Sequence, residues 1–150
     1  MSSKNIWGKA TWYLIHTLAY KISDESHIGE LVKQLYQICD NLPCVDCRDH
    51  AILLLSKTNF KNINKKQQLI LFLLEFHNAI NTKLDKKKFT IEEHNNLYSR
   101  GNTKAIVNNY LEMMRHQNYN ENALLHSYRR QQFIIHFKKY LLENSSKYDS

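Results

Sequence analysis

The chain is poor in the residues that make tight turns and in those that make covalent staples: of 150 residues, one is proline, three are glycine and three are cysteine. A sandwich or barrel of short strands needs glycine and proline at its many turns, so their scarcity points to long helices. Three cysteines cannot build the disulfide framework of a small secreted domain. Also missing is any apolar run of the roughly 18–20 residues that crosses a bilayer. The longest apolar stretch near the start, Trp12 to Tyr20, contains His16 and Thr17 and lacks a small-residue cleavage site, so it does not read as a secretory signal. The expectation is a cytoplasmic protein without membrane insertion. No internal repeat or low-complexity segment interrupts the chain.

The residues that are present describe a folded protein. Hydrophobic side chains make up 43% and aromatics 11%, too many for a disordered chain. The length suffices for one sizeable core with an added subdomain. The formal net charge of +7 would suit nucleic acid, acidic proteins, anionic membranes or an anionic cofactor. It is spread along the chain, and no basic block is longer than Lys86-Lys87-Lys88. Most of it reads as solvated surface, and nucleic acid is not the expected partner.

Hydrophobic spacing predicts helices over about 4–22, 27–41, from the cysteines at 44 through 55, and 65–84. In the first, Trp12, His16 and Tyr20 form an i, i+4, i+8 row of rings that reads either as a core stripe or as a flat binding surface. In the second, Ile28, Leu31, Leu35, Ile38 and Leu42 make the buried stripe, with Cys39 a small buried hydrophobe at its flank. The fourth places Leu69, Leu73, Phe76, Ile80 and Leu84 toward the core. His77, Asn78 and Asn81 interrupt that pattern and need polar partners in the protein or in a ligand. Lys83, Lys86, Lys87 and Lys88 follow, then Phe89. A short helix over 90–100 leads to Gly101-Asn102, the best boundary in the chain. Two more helical patterns, 103–117 and 121–143, follow it, and the tail from Ser145 is expected to fray.

The stretch Leu42-Pro43-Cys44-Val45-Asp46-Cys47-Arg48-Asp49-His50 carries the chemistry. Pro43 suits the first turn of a helix, which puts Cys44 near a helix N-terminus, where free amides and the macrodipole favour a thiolate. A C-x-x-C pair so placed can close and open a disulfide. Three readings stand. Cys39, Cys44, Cys47 and His50 count as four zinc ligands, although three fall within seven residues, whereas zinc ligand pairs usually come from separate elements. A thioredoxin-like dithiol needs a strand before Leu42 that the sequence does not supply. In the third reading, the Trp12/His16/Tyr20 face, the His77-Asn78-Asn81 face and the lysines at 83–88 together hold something flat, polar and anionic beside the dithiol. A flavin adenine dinucleotide fits that description. A small basic helical protein that contacts nucleic acid or a viral structural protein, with structural cysteines, is the competing binding-class reading.

Four motifs in register, Trp7-Gly8 with Trp12, Leu14-Ile15-His16-x-x-Ala19, Pro43-Cys44-x-x-Cys47-x-x-His50 and His77-Asn78-x-x-Asn81-x-x-Leu84, resemble the Erv/ALR flavin-linked sulfhydryl oxidases along residues 6–90. The likeness is greatest to forms encoded by large DNA viruses of the asfarvirus and iridovirus type. It implies an all-α four-helix bundle with a short fifth helix over residues 1–100. The segment 101–150 matches none of the family's motifs, and its aromatics with Arg129-Arg130 and Lys138-Lys139 suggest an added helical segment for dimerisation or partner binding. It further implies an FAD-dependent thiol oxidase that forms disulfides in substrate proteins, passing electrons from the Cys44–Cys47 disulfide to FAD and then to oxygen, giving hydrogen peroxide. Cys44 would exchange with substrate, and Cys47 would lie against the flavin. Trp7, Gly8, Trp12, His16, Tyr20, Cys47, His50, His77, Asn78, Asn81, Lys83, Leu84, Lys86 and Phe89 would line the cofactor, with no metal. The implied partners are a thiol-bearing protein or redox carrier, oxygen and a second copy of the chain, in the host cytoplasm or the virion. Residues 51–150 hold no cysteine, so no second shuttle pair is visible.

Overall fold

The computed structural model describes residues 3–116 and 124–150. They form seven α-helices: α1 (Ser3–Lys21), α2 (Ile28–Asp40), α3 (Val45–Ser56), α4 (Lys66–Lys83), α5 (Ile91–Tyr98), α6 (Thr103–Arg115) and α7 (Leu124–Glu143). Among the described residues there is no strand beyond a single bridge between Ile22 and Tyr148. The all-helical expectation holds, and the first four helices start and stop within a residue or two of their predicted bounds. The predicted ends at 117 and 121–123 lie outside the described residues.

Local chemistry explains the boundaries. Asp24 caps a 3₁₀ turn by accepting from the Ser26 amide at 2.9 Å. Thr90 and Glu93 close a reciprocal capping box at the start of α5, with Glu93 N–H donating to Thr90 Oγ1 and Thr90 N–H to Glu93 Oε1. The Asn102 side chain accepts from the Ala105 amide at 2.8 Å and starts α6 one residue after Gly101.

One core joins the helices. Leu14 and Leu18 of α1, with Ile22 just after it, pack with Leu31 and Ile38 of α2, Leu55 of α3, and Leu69 and Leu73 of α4. Tyr110 and Met114 of α6 and Phe133 and Phe137 of α7 belong to the same cluster. Leu84 departs from its expected core position. The α4 helix ends at Lys83, so Leu84 becomes its C-cap and is 43% exposed. Pro43 likewise stands before the cap of α3, not in its first turn. The tail does not fray: Ser23 N–H donates to Lys147 O at 2.8 Å and Asp149 N–H to Lys21 O at 2.6 Å. These bonds satisfy backbone groups at the end of α1 that would otherwise lack partners. Among the described residues no helix is long and apolar enough to cross a membrane.

Because Leu31 is completely buried, Leu31→Ala should lower the unfolding free energy by about 2–5 kcal/mol. Leu53→Ala, at a side chain more than half exposed, should stay within about 0.5 kcal/mol. Urea denaturation of the two variants checks the contrast.

Candidate active site

The site begins where α2 hands over to α3. Cys44 is the N-cap of α3 in extended conformation, and its Sγ accepts from the Cys47 amide at 3.2 Å. The two cysteines form a disulfide with Cα atoms 5.2 Å apart. Arg48 braces this corner, with Nε donating to Asp40 at the end of α2 at 2.8 Å and a guanidinium nitrogen to Asp49 at 2.8 Å. From α7, His126 Nε2–H donates to the Leu42 carbonyl at 2.6 Å. The redox pair is thus held from three sides, and both cysteines are half-buried.

Cys47 faces a cavity of about 620 Å³, within the size range of cofactor pockets. Trp7, Gly8 and Trp12 of α1 form one wall, and His50 of α3 follows Cys47 by one turn. Phe76, His77 and Asn81 of α4 also line the cavity. Trp12 and His77 stack with ring centroids 3.8 Å apart and planes 9° from parallel. Lys83, Lys86 and Lys87 stand at the rim, whereas Lys88 is not part of it. Leu84 and Phe89 complete the rim.

A helix-ending motif carries the lysines back to the cavity. Asp85 adopts a positive φ of 55°, its N–H donates to Thr82 O, and Lys86 N–H donates to Asn81 O at 2.7 Å. Asn78 holds the returning chain with both ends of its amide: Nδ2 donates to Phe89 O at 2.9 Å and Oδ1 accepts from Phe89 N–H at 2.8 Å. Asn81 Nδ2 donates to Lys87 O at 3.0 Å. Asn78 therefore shapes the rim and lies outside the cavity wall.

His16 and Tyr20 are also set back from the wall. The ring row along α1 runs away from the cavity, so only Trp12 reaches it. His16 is completely buried between His77 of α4 and His94 of α5, with 2.9 Å hydrogen bonds to each. Beyond them, the Tyr20 hydroxyl meets His94 Nδ1 at 3.0 Å and donates to Asn95. Burial, then the neighbouring His94 and His77 rings, keep His16 well below the usual histidine range. Burial, then His94 and Lys86, push His77 down to about 3, and burial pushes His94 down to about 4. Burial and the nearby Lys83 charge lower His50.

The sequence pattern also missed residues that the fold brings in. Tyr98 and Leu97 of α5 line the cavity, as do Thr11 and Tyr13 of α1 and Asp46 beside the disulfide. His94 and Tyr98 lie four apart on one face of a capped helix, which was the available signal. Cys39 lies at the cavity as a buried free thiol pushed up to about 12, first by burial and then by Asp40. That is an unreactive thiol. Among the described residues no three histidine, cysteine, aspartate or glutamate side chains come together as a metal site.

The fold and site define a class: an all-helical protein with a reducible C-x-x-C disulfide at the edge of an aromatic, lysine-rimmed, cofactor-sized cavity. Residues 9–99 match the Erv1 / Alr family, and the chain belongs to that family. The FAD-linked sulfhydryl oxidase of African swine fever virus is 30% identical over 103 residues, 67% of this chain and 86% of its own length. A protein of Invertebrate iridescent virus 3 named for the same activity is 31% identical over 85 residues, 54% of this chain and 57% of its own. A fowlpox virus protein with that name is 31% identical over 74 residues, 49% of this chain and 77% of its own. No solved structure matches the chain.

Two predictions follow from the polar framework. Asn78→Ala removes both side-chain bonds to Phe89, so amide exchange at Phe89 and its neighbours should accelerate, by roughly 5- to 150-fold for a loss of about 1–3 kcal/mol of local stability. The three buried histidines titrate lower in the fold than the ordinary value of 6.5. Their stabilising contribution is therefore complete above that pH and is lost as pH falls toward 4 and 3, because the unfolded chain takes up protons first. The thermal midpoint followed by circular dichroism should fall on going from about pH 7 to about pH 5.

Proposed function

We propose that the protein is an FAD-linked sulfhydryl oxidase that forms disulfide bonds in thiol-bearing protein substrates. The observation that carries this reading is the Cys47 sulfur opening on the cavity walled by Trp12 and His77 and rimmed by Lys83, Lys86 and Lys87. The residues present suit the cofactor. Flat rings match flat ring systems, the lysines match a pyrophosphate, and the volume accommodates a large ligand. In this reading Trp7, Gly8, Trp12, His50, His77, Asn81, Leu84 and Phe89 bound the cofactor directly, while His16, Tyr20 and Asn78 support that wall from behind.

A substrate thiolate attacks Cys44 Sγ, the sulfur outside the cavity, and Cys47 leaves as a thiolate. The second substrate thiolate then attacks the substrate sulfur of the mixed disulfide and expels Cys44. The departing Cys44 sulfur is stabilised by the Cys47 amide at the N-terminus of α3. One substrate disulfide has formed and one enzyme disulfide has opened, with two electrons now on Cys44 and Cys47. FAD, when bound, supplies the two-electron sink for this reduced pair. The final acceptor in this reading is molecular oxygen, reduced to hydrogen peroxide.

The protein works as a homodimer in this proposal, with residues 101–150 as an additional helical segment for dimerisation or partner binding. Support comes from α7, where Leu125, Tyr128, Ile135 and Leu142 are each more than half exposed. Its setting is the host cytoplasm or a virion, and nucleic acid is not its partner.

An absorbance spectrum tests the central reading. Flavin bands near ~450 nm should bleach with anaerobic dithiothreitol and return with air. Cys44→Ser should keep the bound flavin and lose dithiothreitol turnover by at least about 100-fold, because the attacked sulfur is gone. A colourless protein that refuses added FAD, or a Cys44→Ser variant with full turnover, contradicts the assignment.

A further inference from the structure

Three histidines and a tyrosine form one hydrogen-bonded line from the cavity wall to the surface. His77 Nδ1 meets His16 Nε2, His16 Nδ1 meets His94 Nε2, and His94 Nδ1 meets the Tyr20 hydroxyl, at 2.9, 2.9 and 3.0 Å. The line ends where Tyr20 O–H donates to Oδ1 of Asn95, which is exposed. Each ring uses one nitrogen toward each neighbour, so the positions of the hydrogens along the line are coupled.

The exposed end determines them. A carbonyl oxygen only accepts, so the single hydroxyl hydrogen of Tyr20 is committed to Asn95. The Tyr20 oxygen must then accept from His94, which puts the His94 hydrogen on Nδ1. A neutral imidazole carries one ring hydrogen, so His94 Nε2 is an acceptor and His16 must donate to it from Nδ1. The same step places the His77 hydrogen on Nδ1. All three rings are neutral at physiological pH, because burial, joined by the neighbouring rings at His16 and His77, holds them below the usual histidine range. Reversing the line would turn the Tyr20 hydrogen to His94 Nδ1 and leave the Tyr20 and Asn95 oxygens facing each other as two acceptors with no hydrogen between them. The remaining nitrogen of His77, Nε2, therefore carries a lone pair on a ring that lines the cavity.

We propose that His94, Tyr20 and Asn95 are positioning residues of the cofactor site. Acting through His16, they hold His77 in its Nδ1–H form and so present its Nε2 to the cavity as a hydrogen-bond acceptor for an N–H or O–H group of the bound flavin nucleotide. The identity of the ligand rests on the oxidase reading above; the placement of the hydrogens does not. A purely structural cluster would need only filled hydrogen bonds, whereas this one specifies which polarity the cavity sees.

Imidazole ¹⁵N spectra of the full-length protein, recorded before and after addition of FAD, test the proposal. The unaltered chain should carry hydrogen on Nδ1 of His16, His77 and His94. Tyr20→Phe removes the acceptor for the His94 hydrogen, so the line should reverse, with the His77 hydrogen moving to Nε2. The dissociation constant for FAD should then rise by roughly tenfold, the effect of one net hydrogen bond. Asn95→Asp keeps an acceptor at the surface end and should retain both the hydrogen positions and the affinity, within about twofold. Hydrogen on Nε2 of His77 in the unaltered chain overturns the proposal without recourse to any variant. Unchanged FAD affinity in Tyr20→Phe, with the hydrogen moved to Nε2, overturns the acceptor role. Hydrogen on Nδ1 in a chain that binds no FAD overturns the reading of the ligand instead, so the two failures are distinguishable.

Discussion

His16 has no contact with water, and a buried imidazole needs a partner at each ring nitrogen. Its partners come from two other helices, His77 on α4 and His94 on α5. This one requirement sets the depth at which α4 and α5 meet α1. With His77 held at that depth, its ring lies flat against Trp12 and makes the aromatic wall of the cavity. A hydrocarbon at position 16 would fill the space but would leave one ring nitrogen of His77 and one of His94 without its partner, at a cost of about 1–3 kcal/mol each. The wall of the cavity and the packing of the bundle therefore rest on the same polar contact.

The second organising feature is the corner between α2 and α3. An N-cap is ordinarily a serine, threonine or aspartate, whose oxygen accepts from the first turn. Here a cysteine sulfur takes that place, so the position that starts the helix also carries the reactive atom. Cys47, in the first turn of the same helix, faces inward to the cavity while Cys44 lies outside it. The two sulfurs are thereby given different surroundings by helix geometry alone. Cys39, only five residues before Cys44 in sequence, sits in the α2 core stripe, where burial raises its pKa and keeps it out of thiol exchange.

Residues beyond 100 extend the same core. Tyr110 and Phe137 meet edge to face, with ring centroids 5.9 Å apart, against the helices of the family region. His126 reaches from α7 to the carbonyl of Leu42, just before the redox cysteines. The match to the Erv1 / Alr family stops at residue 99, yet the segment after it supports the corner on which the disulfide sits.

The amino-acid sequence by itself determined the helices, their order and the residues able to do redox and cofactor chemistry. Few turn formers and strong helical periodicity left one class of fold, and the spacing of Cys44, Cys47 and His50 was legible as successive turns along one face of a helix. The tertiary structure alone decided depth and direction. Trp12, His16 and Tyr20 form a single row by sequence, but only Trp12 reaches the cavity, because the row runs along α1 away from it. Asn78 and Asn81 both belong to the cofactor-lining motif by resemblance, yet Asn78 turns to the Phe89 backbone, where its amide satisfies a donor and an acceptor together. Helical periodicity specifies which side chains share a face. What that face meets depends on helices far away in sequence, and so the part played by α5, which supplies His94 and Tyr98, became visible only in the folded chain.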